Sequence, residues 1–388
     1  MRISIITVSF NSEQTIERTI KSVVNQNYDD IEYILIDGGS SDRTVDIIKK
    51  YEKYISYWIS EKDEGIYDAM NKGLRHSTGE IVAFLNSDDW YEENIFTDVA
   101  SIFGDERIQL LCGDMYIHRE GTVTRHHINE DVAQKVVRYS MGYTHPTMFA
   151  RKKLFDKYGE FDIQYKIAAD YDWFLKVFDH NEKIKVIDKV LTNFSYGGVS
   201  TKEEKMPCLL VEQRQIALRA LERNAILTEN RKSKWKEVIE WEIDNMQYNF
   251  KIQQIIDHAI LDKNELALKL AREIFREEHY IVFGSGNVAM QLIGILQKIG
   301  VCITAIWDNN ARRWGKSING IGIMKPDKMK VNRNAVIVAS IYYENEIGMQ
   351  LISYGYVKNT HYFLYRELRN RLVDKIEQMG AILDVKWM

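Results

Sequence analysis

Residues 79–91 read GEIVAFLNSDDWY. Ile81 to Leu85 form a short, continuous apolar run, the pattern of a strand covered on both faces. Asn86, Ser87, Asp88 and Asp89 follow with no spacer. A buried strand that stops on two adjacent carboxylates sets like charges side by side. Either the pair sits in a solvated turn, one Asp capping the next helix, or it binds something that removes the repulsion. A hard divalent cation suits that role, because Mg²⁺ and Mn²⁺ prefer oxygen ligands, keep several waters and are often shared with substrate phosphates.

Upstream, strand and helix signals alternate. ISIITVSF (3–10) is another nearly continuous apolar strand. NSEQTIERTIKSVVNQ (11–26) switches to a helical period, with Ile16, Ile20, Val23 and Val24 on one face and Asn11 or Ser12 as the cap. IEYILIDGG (31–39) is a strand ending at Asp37, and SSDRTVDIIKKYEKY (40–54) a helix capped by Ser40 or Ser41. ISYWISE (55–61) reads as a short strand and GIYDAMNKGLRHS (65–77) as a helix. This spacing predicts an α/β fold with right-handed crossovers and a mostly parallel sheet. Ligands of such sheets bind beyond the C-terminal strand ends. Acids occupy those ends twice, at Asp37 and at Asp88-Asp89.

The bulk properties exclude several classes. A chain of 388 residues exceeds one compact core, so two or three domains are expected. A net charge of −4 argues against a nucleic-acid binder, which would carry a basic excess. Cys112, Cys208 and Cys302 are far apart and show neither disulfide nor zinc spacing, which predicts a reducing cytoplasm. The N-terminus lacks the apolar length of a signal peptide. No stretch approaches the roughly 20 apolar residues of a membrane span. A cytoplasmic location follows as the expectation, with peripheral contact at the inner membrane face left open.

The rest of the chain divides by composition. IQLLCGDMYIH (108–118) and TVTRHHI (122–128) read as strands of a hairpin around Glu120-Gly121. DYDWFLKVFDH (170–180) is a helix burying Trp173, Phe174, Val177 and Phe178. Residues 202–278 contain no Gly and read as a helical linker or oligomer contact, with Trp235 and Trp241 in its core. At HYIVFGSGNVAMQLIGILQKIG (279–300) a second α/β unit begins. Gly284, Gly286 and Ala289 fit the dinucleotide-binding fingerprint, and Asp308 closes the next strand where an acid can hold a ribose. A nucleotide-binding role and a purely structural role are both open there. The expected domains are 1–201, 202–278 and 279–388.

Five further motifs accompany GEIVAFLNSDDWY: TVSFN (7–11), LIDGGSSDRT (35–44), DEGIYDAMNKGL (63–74), HPTMFARKKLFDKYGEFD (145–162) and AADYDWFLK (168–176). In this order and spacing, the first half of the chain resembles the family 2 glycosyltransferases, inverting nucleotide-sugar enzymes of GT-A fold. The tail resembles short Rossmann-like domains attached to bacterial polysaccharide-biosynthesis proteins.

The resemblance implies site roles. Asp89 takes the position of the direct metal ligand, with Mn²⁺ or Mg²⁺ as cofactor, and Asp88 contacts ribose or the metal's waters. Val8, Phe10, Asp37 and Asn71 fall on the nucleotide-sugar side, where Phe10 is either an aromatic platform for the base or a core residue. The family usually has two acids before the Gly-Ser; here the second is Gly38. A basic residue common before NxG is replaced near Ala69-Met70, with Lys72 or Arg75 to supply its charge. A His that often completes the metal site has no counterpart in NFSYGGVST (193–201). Asp170 is the expected general base, with Asp172 the second choice and helix capping the alternative role. His145 is either an acceptor-side residue or structural, and Cys112, His126 and His127 read as structural.

The expected partners are a donor, a UDP-sugar foremost, and a glycan or lipid-linked acceptor; homo-oligomer formation is open. Two rival functions remain at this stage. One is a nicotinamide-dependent enzyme acting on a nucleotide sugar. The other is a non-catalytic nucleotide-sugar sensor or scaffold.

Overall fold

A computed structural model of the protein describes residues 1–119, 121–198, 202–225, 227–261, 265–327, 335–339 and 344–378. The chain divides into two compact units, Met1–Gln247 and Tyr248–Met388.

In the first unit the alternating half of the sequence becomes β1 (Ile3–Ser9), α1 (Ile16–Val24), β2 (Ile31–Asp37), α2 (Thr44–Lys50), β3 (Tyr57–Ser60), α3 (Ile66–His76) and β4 (Ile81–Asn86). The less regular half supplies β5 (Trp90–Tyr91), α4 (Phe96–Ile102), β6 (Leu110–Arg119), β7 (Thr122–His126), α5 (Glu130–Val136), β8 (Phe149–Arg151), α6 (Lys153–Tyr158), α7 (Ala169–Asp179) and β9 (Ile184–Ser195). Helices α8 (Met206–Arg223) and α9 (Glu229–Leu261) follow.

The strands form one sheet in the order β3-β2-β1-β4-β8-β6-β9-β5, with β7 paired to β6. β1 to β4 are mutually parallel, as the crossovers demand, and β8 joins β4 antiparallel. The apolar runs are continuous because the sheet is covered on both faces. Ile3, Ile5, Leu35 and Leu85 pack on one side with Ile16, Ile20 and Val23 of α1 and Phe96 of α4. Ile6, Val8, Ile34, Ile36 and Phe84 pack on the other with Tyr67 and Met70 of α3 and Trp173 and Phe174 of α7.

The register levels the C-terminal ends of these strands. Ser9 pairs with Asp37, Asp37 with Ser60, and Val8 with Asn86. One residue further, Phe10, Gly38 and Ser87 emerge together along one sheet end.

The helix starts differ from expectation. α1 begins at Ile16 and α2 at Thr44, and neither Asn11, Ser12, Ser40 nor Ser41 lies at the cap position. These residues brace loops instead. Asn11 takes a left-handed conformation, φ 48°, which its short polar side chain tolerates. Its backbone N–H donates to Ser40 Oγ at 2.8 Å, and its Oδ1 accepts from Ser41 N at 2.9 Å. The β1 and β2 loops are thereby tied to each other.

The helical stretch 202–278 is shared between the two units, where the sequence reading sets it apart. α8 packs against α7. Buried Glu212 of α8 accepts from the backbone N–H groups of Lys166, Ile167 and Ala168 at 2.7–2.9 Å. Trp235 packs beside the cluster of α8 and α9, but Trp241 is exposed, contrary to its expected core position. Among the described residues, no helix is long and apolar enough to cross a membrane.

The second unit contains α10 (Glu265–Ile274), β10 (His279–Phe283), α11 (Asn287–Lys298), β11 (Cys302–Trp307), β12 (Ser317–Ile318), β13 (Ile321–Met324), β14 (Ala335–Val338), α12 (Glu344–Ser353), β15 (Tyr362–Leu364) and α13 (Tyr365–Gln378). Its sheet runs β12-β13-β11-β10-β14-β15, parallel except at β12. The strand order reverses between β10 and β14. There Gly284, at φ 120°, lets the chain pass so close that a Cβ would lie 2.7 Å from Ala339 O.

Candidate active site

The site is assembled at the C-terminal ends of β1, β2 and β4. Asp37 is fully buried. Its Oδ1 accepts from Ser9 Oγ at 2.9 Å and Ser40 Oγ at 2.5 Å, and its Oδ2 from Gly39 N, Ser40 N and Ser60 Oγ at 3.2, 2.9 and 2.6 Å. Five donors satisfy a carboxylate, so Asp37 shapes the turn after β2 rather than presenting a free oxygen. Val8 is buried in β1 beside it. Phe10 is not a core residue: 63% of it is exposed, at the end of the same strand.

Asp88 and Asp89 follow β4 in a turn anchored by α1. Thr19 Oγ1 donates to Ser87 O and Asp89 O at 2.9 and 2.7 Å, and Arg18 Nη2 donates to Asp88 O at 2.8 Å. The Arg18 guanidinium also lies 3.5 Å from the centre of the Trp90 ring. The turn is therefore a braced one, not a solvated loop. Asp89 is 0% exposed. Its Oδ1 accepts from Ser195 N at 2.9 Å, while its Oδ2 is buried with no hydrogen-bond partner.

Burial pushes both carboxyls up, Asp89 well above the usual carboxylate range, and the Asp88 charge pushes Asp89 further. At Asp89 the Ser195 N–H and the Asn86 side chain oppose the rise, and Arg18 opposes both shifts. A buried carboxylate oxygen without a hydrogen-bond donor keeps a valence open that a cation could fill. The donor set, hard carboxylate oxygen, fits Mg²⁺ or Mn²⁺.

Asp170 lies in the first turn of α7, but the cap position is Ala168 and no side chain caps the helix. Asp170 is therefore free of the capping role. The Tyr67 hydroxyl, from α3, sits 2.8 Å from Asp170 Oδ1 and 2.7 Å from Ile167 O. Burial first, and then the Asp170 charge, hold this phenol well above its ordinary pKa, so it is a donor. His145 Nδ1 stands 3.9 Å from Asp170 Oδ2. Its ring stacks on Phe84 of β4, with centroids 5.9 Å apart. Burial lowers the His145 pKa, which favours neutral imidazole. His145 thus links the end of β4 to Asp170.

Asp172 is buried and ion-paired with Lys176 at 2.9 Å and Arg223 at 3.1 Å. Both of its oxygens are committed, which leaves Asp170 the available acid. Asn71 is a correction of a similar kind. It is buried, its Nδ2 donates to Phe161 O at 2.8 Å and its Oδ1 accepts from Phe161 N at 3.0 Å, so its amide clamps the protein's own backbone. Lys72 pairs with Glu61 and Asp68, and Arg75 with Glu160. Neither supplies the missing charge; Arg18, overlooked in the sequence, stands at the acid pair.

Two other groups stand on other elements. Asp114, His127 and Asp188 hold ligand atoms within 4.8 Å of one another, close enough for a metal ion. Arg125 already bridges the two carboxylates and offsets their charge. In the second unit, Ser285, between Gly284 and Gly286, is hydrogen-bonded to Asp308. The Asp308 carboxylate accepts from Ser285 Oγ and from Asn310 N, and faces Arg313 at 3.5 Å.

Comparison with known proteins places this geometry. Residues 4–161 match the family described as Glycosyl transferase family 2, and residues 276–361 match one described as C2185-like, N-terminal. An uncharacterized glycosyltransferase of Mycobacterium tuberculosis is 32% identical over 208 residues, 52% of this chain and 78% of the relative. A PGL/p-HBAD biosynthesis glycosyltransferase of Mycobacterium bovis is 29% identical over 204 residues, 51% of this chain and 78% of the relative. The crystal structure of S. aureus TarS 1–349 with UDP-GlcNAc shares the fold, with a TM-score of 0.50 at 20% identity over 62% of this chain and 71% of that one. The chain belongs to glycosyl transferase family 2.

Proposed function

We propose that the chain transfers a sugar, with inversion at the anomeric carbon, from a nucleoside-diphosphate sugar to a hydroxyl of a glycan or lipid-linked acceptor in polysaccharide biosynthesis. The observation that carries the reading is the buried, unpartnered Oδ2 of Asp89 at the end of β4, linked through Phe84 and His145 to a carboxylate, Asp170, held by Tyr67. A relative named as a PGL/p-HBAD biosynthesis glycosyltransferase supports the transferase activity, and a fold neighbour crystallised with UDP-GlcNAc supports the donor class.

Asp89, with Asp88 beside it, would hold a divalent cation; when bound, that cation offsets charge growing on the leaving diphosphate. Phe10 offers an exposed face for the base. Asp170 takes the proton from the attacking acceptor hydroxyl, the task of a general base. Tyr67 orients that carboxylate by its hydrogen bond. His145, neutral and stacked on Phe84, fixes the distance between the β4 end and the base.

Asp170→Asn keeps size but cannot accept the proton. It should lower turnover by roughly 10²-fold or more, the scale of general-base loss, with donor binding nearly unchanged. Proton NMR of the fresh product should show the anomeric configuration opposite to the donor's. Retention of configuration, or full activity in Asp170→Asn, would overturn the reading.

A further inference from the structure

Gly38 follows β2 directly and brings no side chain to this strand end. A Cβ built on Gly38 would lie 2.4 Å from Asp63 Oδ2, closer than real contacts allow, and 3.1 Å from the Asp63 carboxyl carbon, a tight contact. The volume that a side chain at 38 would enter is already filled by a carboxylate. It arrives from the loop after β3 instead of from β2.

The two acids at this strand end are not equivalent. Asp37 is saturated by five donors of the chain itself. Asp63 accepts one hydrogen bond, from Gly65 N to Oδ1 at 2.9 Å, and its Oδ2 has no hydrogen-bond partner among the described residues. Burial raises the Asp63 pKa; the Gly65 N–H and the Lys72 charge oppose the rise, and the charges of Asp68 and Asp37 add to it. Phe10, whose neighbour Ser9 pairs in register with Asp37, presents its exposed ring at the same sheet end.

We propose that Asp63 reads the nucleobase of the donor, its Oδ2 accepting the ring N–H of a uracil laid against Phe10. The inference rests on the nucleotide-sugar reading above. A carboxylate oxygen accepts from uracil, whose N3 carries hydrogen. It repels cytosine, whose N3 presents a lone pair at the same edge. The site therefore takes uridine diphosphate and rejects cytidine diphosphate, two ligands identical in ribose and phosphates. Asp63 is a specificity-determining residue, distinct from the acids that serve the diphosphate and the acceptor.

The test is calorimetric titration of UDP and of CDP, with Mn²⁺ present, into the full chain and two variants, Asp63→Asn and Gly38→Ala. Thermal melting checks that each variant is folded. The wild-type chain should prefer UDP by roughly tenfold or more, the scale of a charged hydrogen bond. Asp63→Asn can offer an amide N–H to cytosine N3, so it should weaken UDP, spare CDP and close the gap to about threefold or less. Gly38→Ala should act the same way, by pushing the carboxylate out of its place. Equal weakening of both nucleotides would reduce Asp63 to a brace for the Gly65 turn and overturn the proposal, as would an unchanged preference. Failure of the wild-type chain to bind either nucleotide would bring down the donor reading as well, an outcome distinct from UDP binding that ignores Asp63.

Discussion

At the scale of single residues, the question posed by Asp88-Asp89 is answered by bracing. Thr19, Arg18 and Ser195 hold the turn, so the charges are kept close by construction. This has a consequence for stability without metal. The folded-state pKa of both acids is raised, so the folded chain takes up protons at a higher pH than the unfolded chain, whose Asp titrates near about 3.9. Their ionisation therefore costs stability at neutral pH, and the cost is relieved as pH falls through the raised folded values. In metal-free buffer, the melting temperature of Asp89→Asn should exceed that of wild type at pH 7.5, with the difference shrinking toward pH 5. Millimolar Mn²⁺ should raise the wild-type melting temperature at pH 7.5 by a few degrees and do less at pH 5, where protons compete. An Asp89→Asn protein that keeps the full Mn²⁺ response would count against Asp89 as the ligand.

The same scale shows why some residues were legible in the sequence and others were not. The roles proposed for Asp89 and Asp170 rest on motifs that carry their chemistry locally. Asn71 stands in such a motif too, yet its partner is the backbone of Phe161, ninety positions on, which no local pattern reveals. The role proposed for Asp63 was hidden for the converse reason. Its significance lies in the empty side-chain space of Gly38, and only the β2–β3 pairing brings the two loops together.

At the scale of elements, strands β1 to β4 follow directly from apolar runs, because a sheet covered on both faces leaves no polar alternation to misread. The caps failed because Asn11, Ser40 and Ser41 form their hydrogen bonds across loops, a competition that cap residues always face. The tie between α7 and α8 was also hidden. Glu212 supplies a buried carboxylate to three consecutive backbone N–H groups just ahead of the helix that carries Asp170. Glu212→Ala leaves those donors without partners and should destabilise the first unit by roughly 2–4 kcal/mol. Urea unfolding followed by tryptophan fluorescence would measure it. A change below about 0.5 kcal/mol, the level of an ordinary surface substitution, would show that α8 is not needed to seat α7.

At the scale of the whole molecule, the two units carry separate family matches, residues 4–161 and 276–361. Composition marked the helical stretch between them, but not how it is shared, since a Gly-free amphipathic sequence does not say which core its faces join. A chain truncated after Gln247 keeps α8 and its ties to α7, and should fold and bind donor. A chain truncated after Thr201 loses Glu212 and Arg223 and should be poorly stable, although it contains every residue assigned to the chemistry. Circular dichroism melts of the two truncated chains would separate these outcomes.

The account stands on a donor diphosphate served by Asp89 and a base, Asp170, that acts only on the acceptor. The most direct measurement is calorimetric titration of UDP into the intact chain and into Asp89→Asn and Asp170→Asn, with and without Mn²⁺. The account predicts Mn²⁺-dependent binding to wild type and Asp170→Asn with affinities within about threefold of each other, and loss of the Mn²⁺-dependent part in folded Asp89→Asn. Mn²⁺-dependent binding that survives in Asp89→Asn, or disappears in Asp170→Asn, would contradict it.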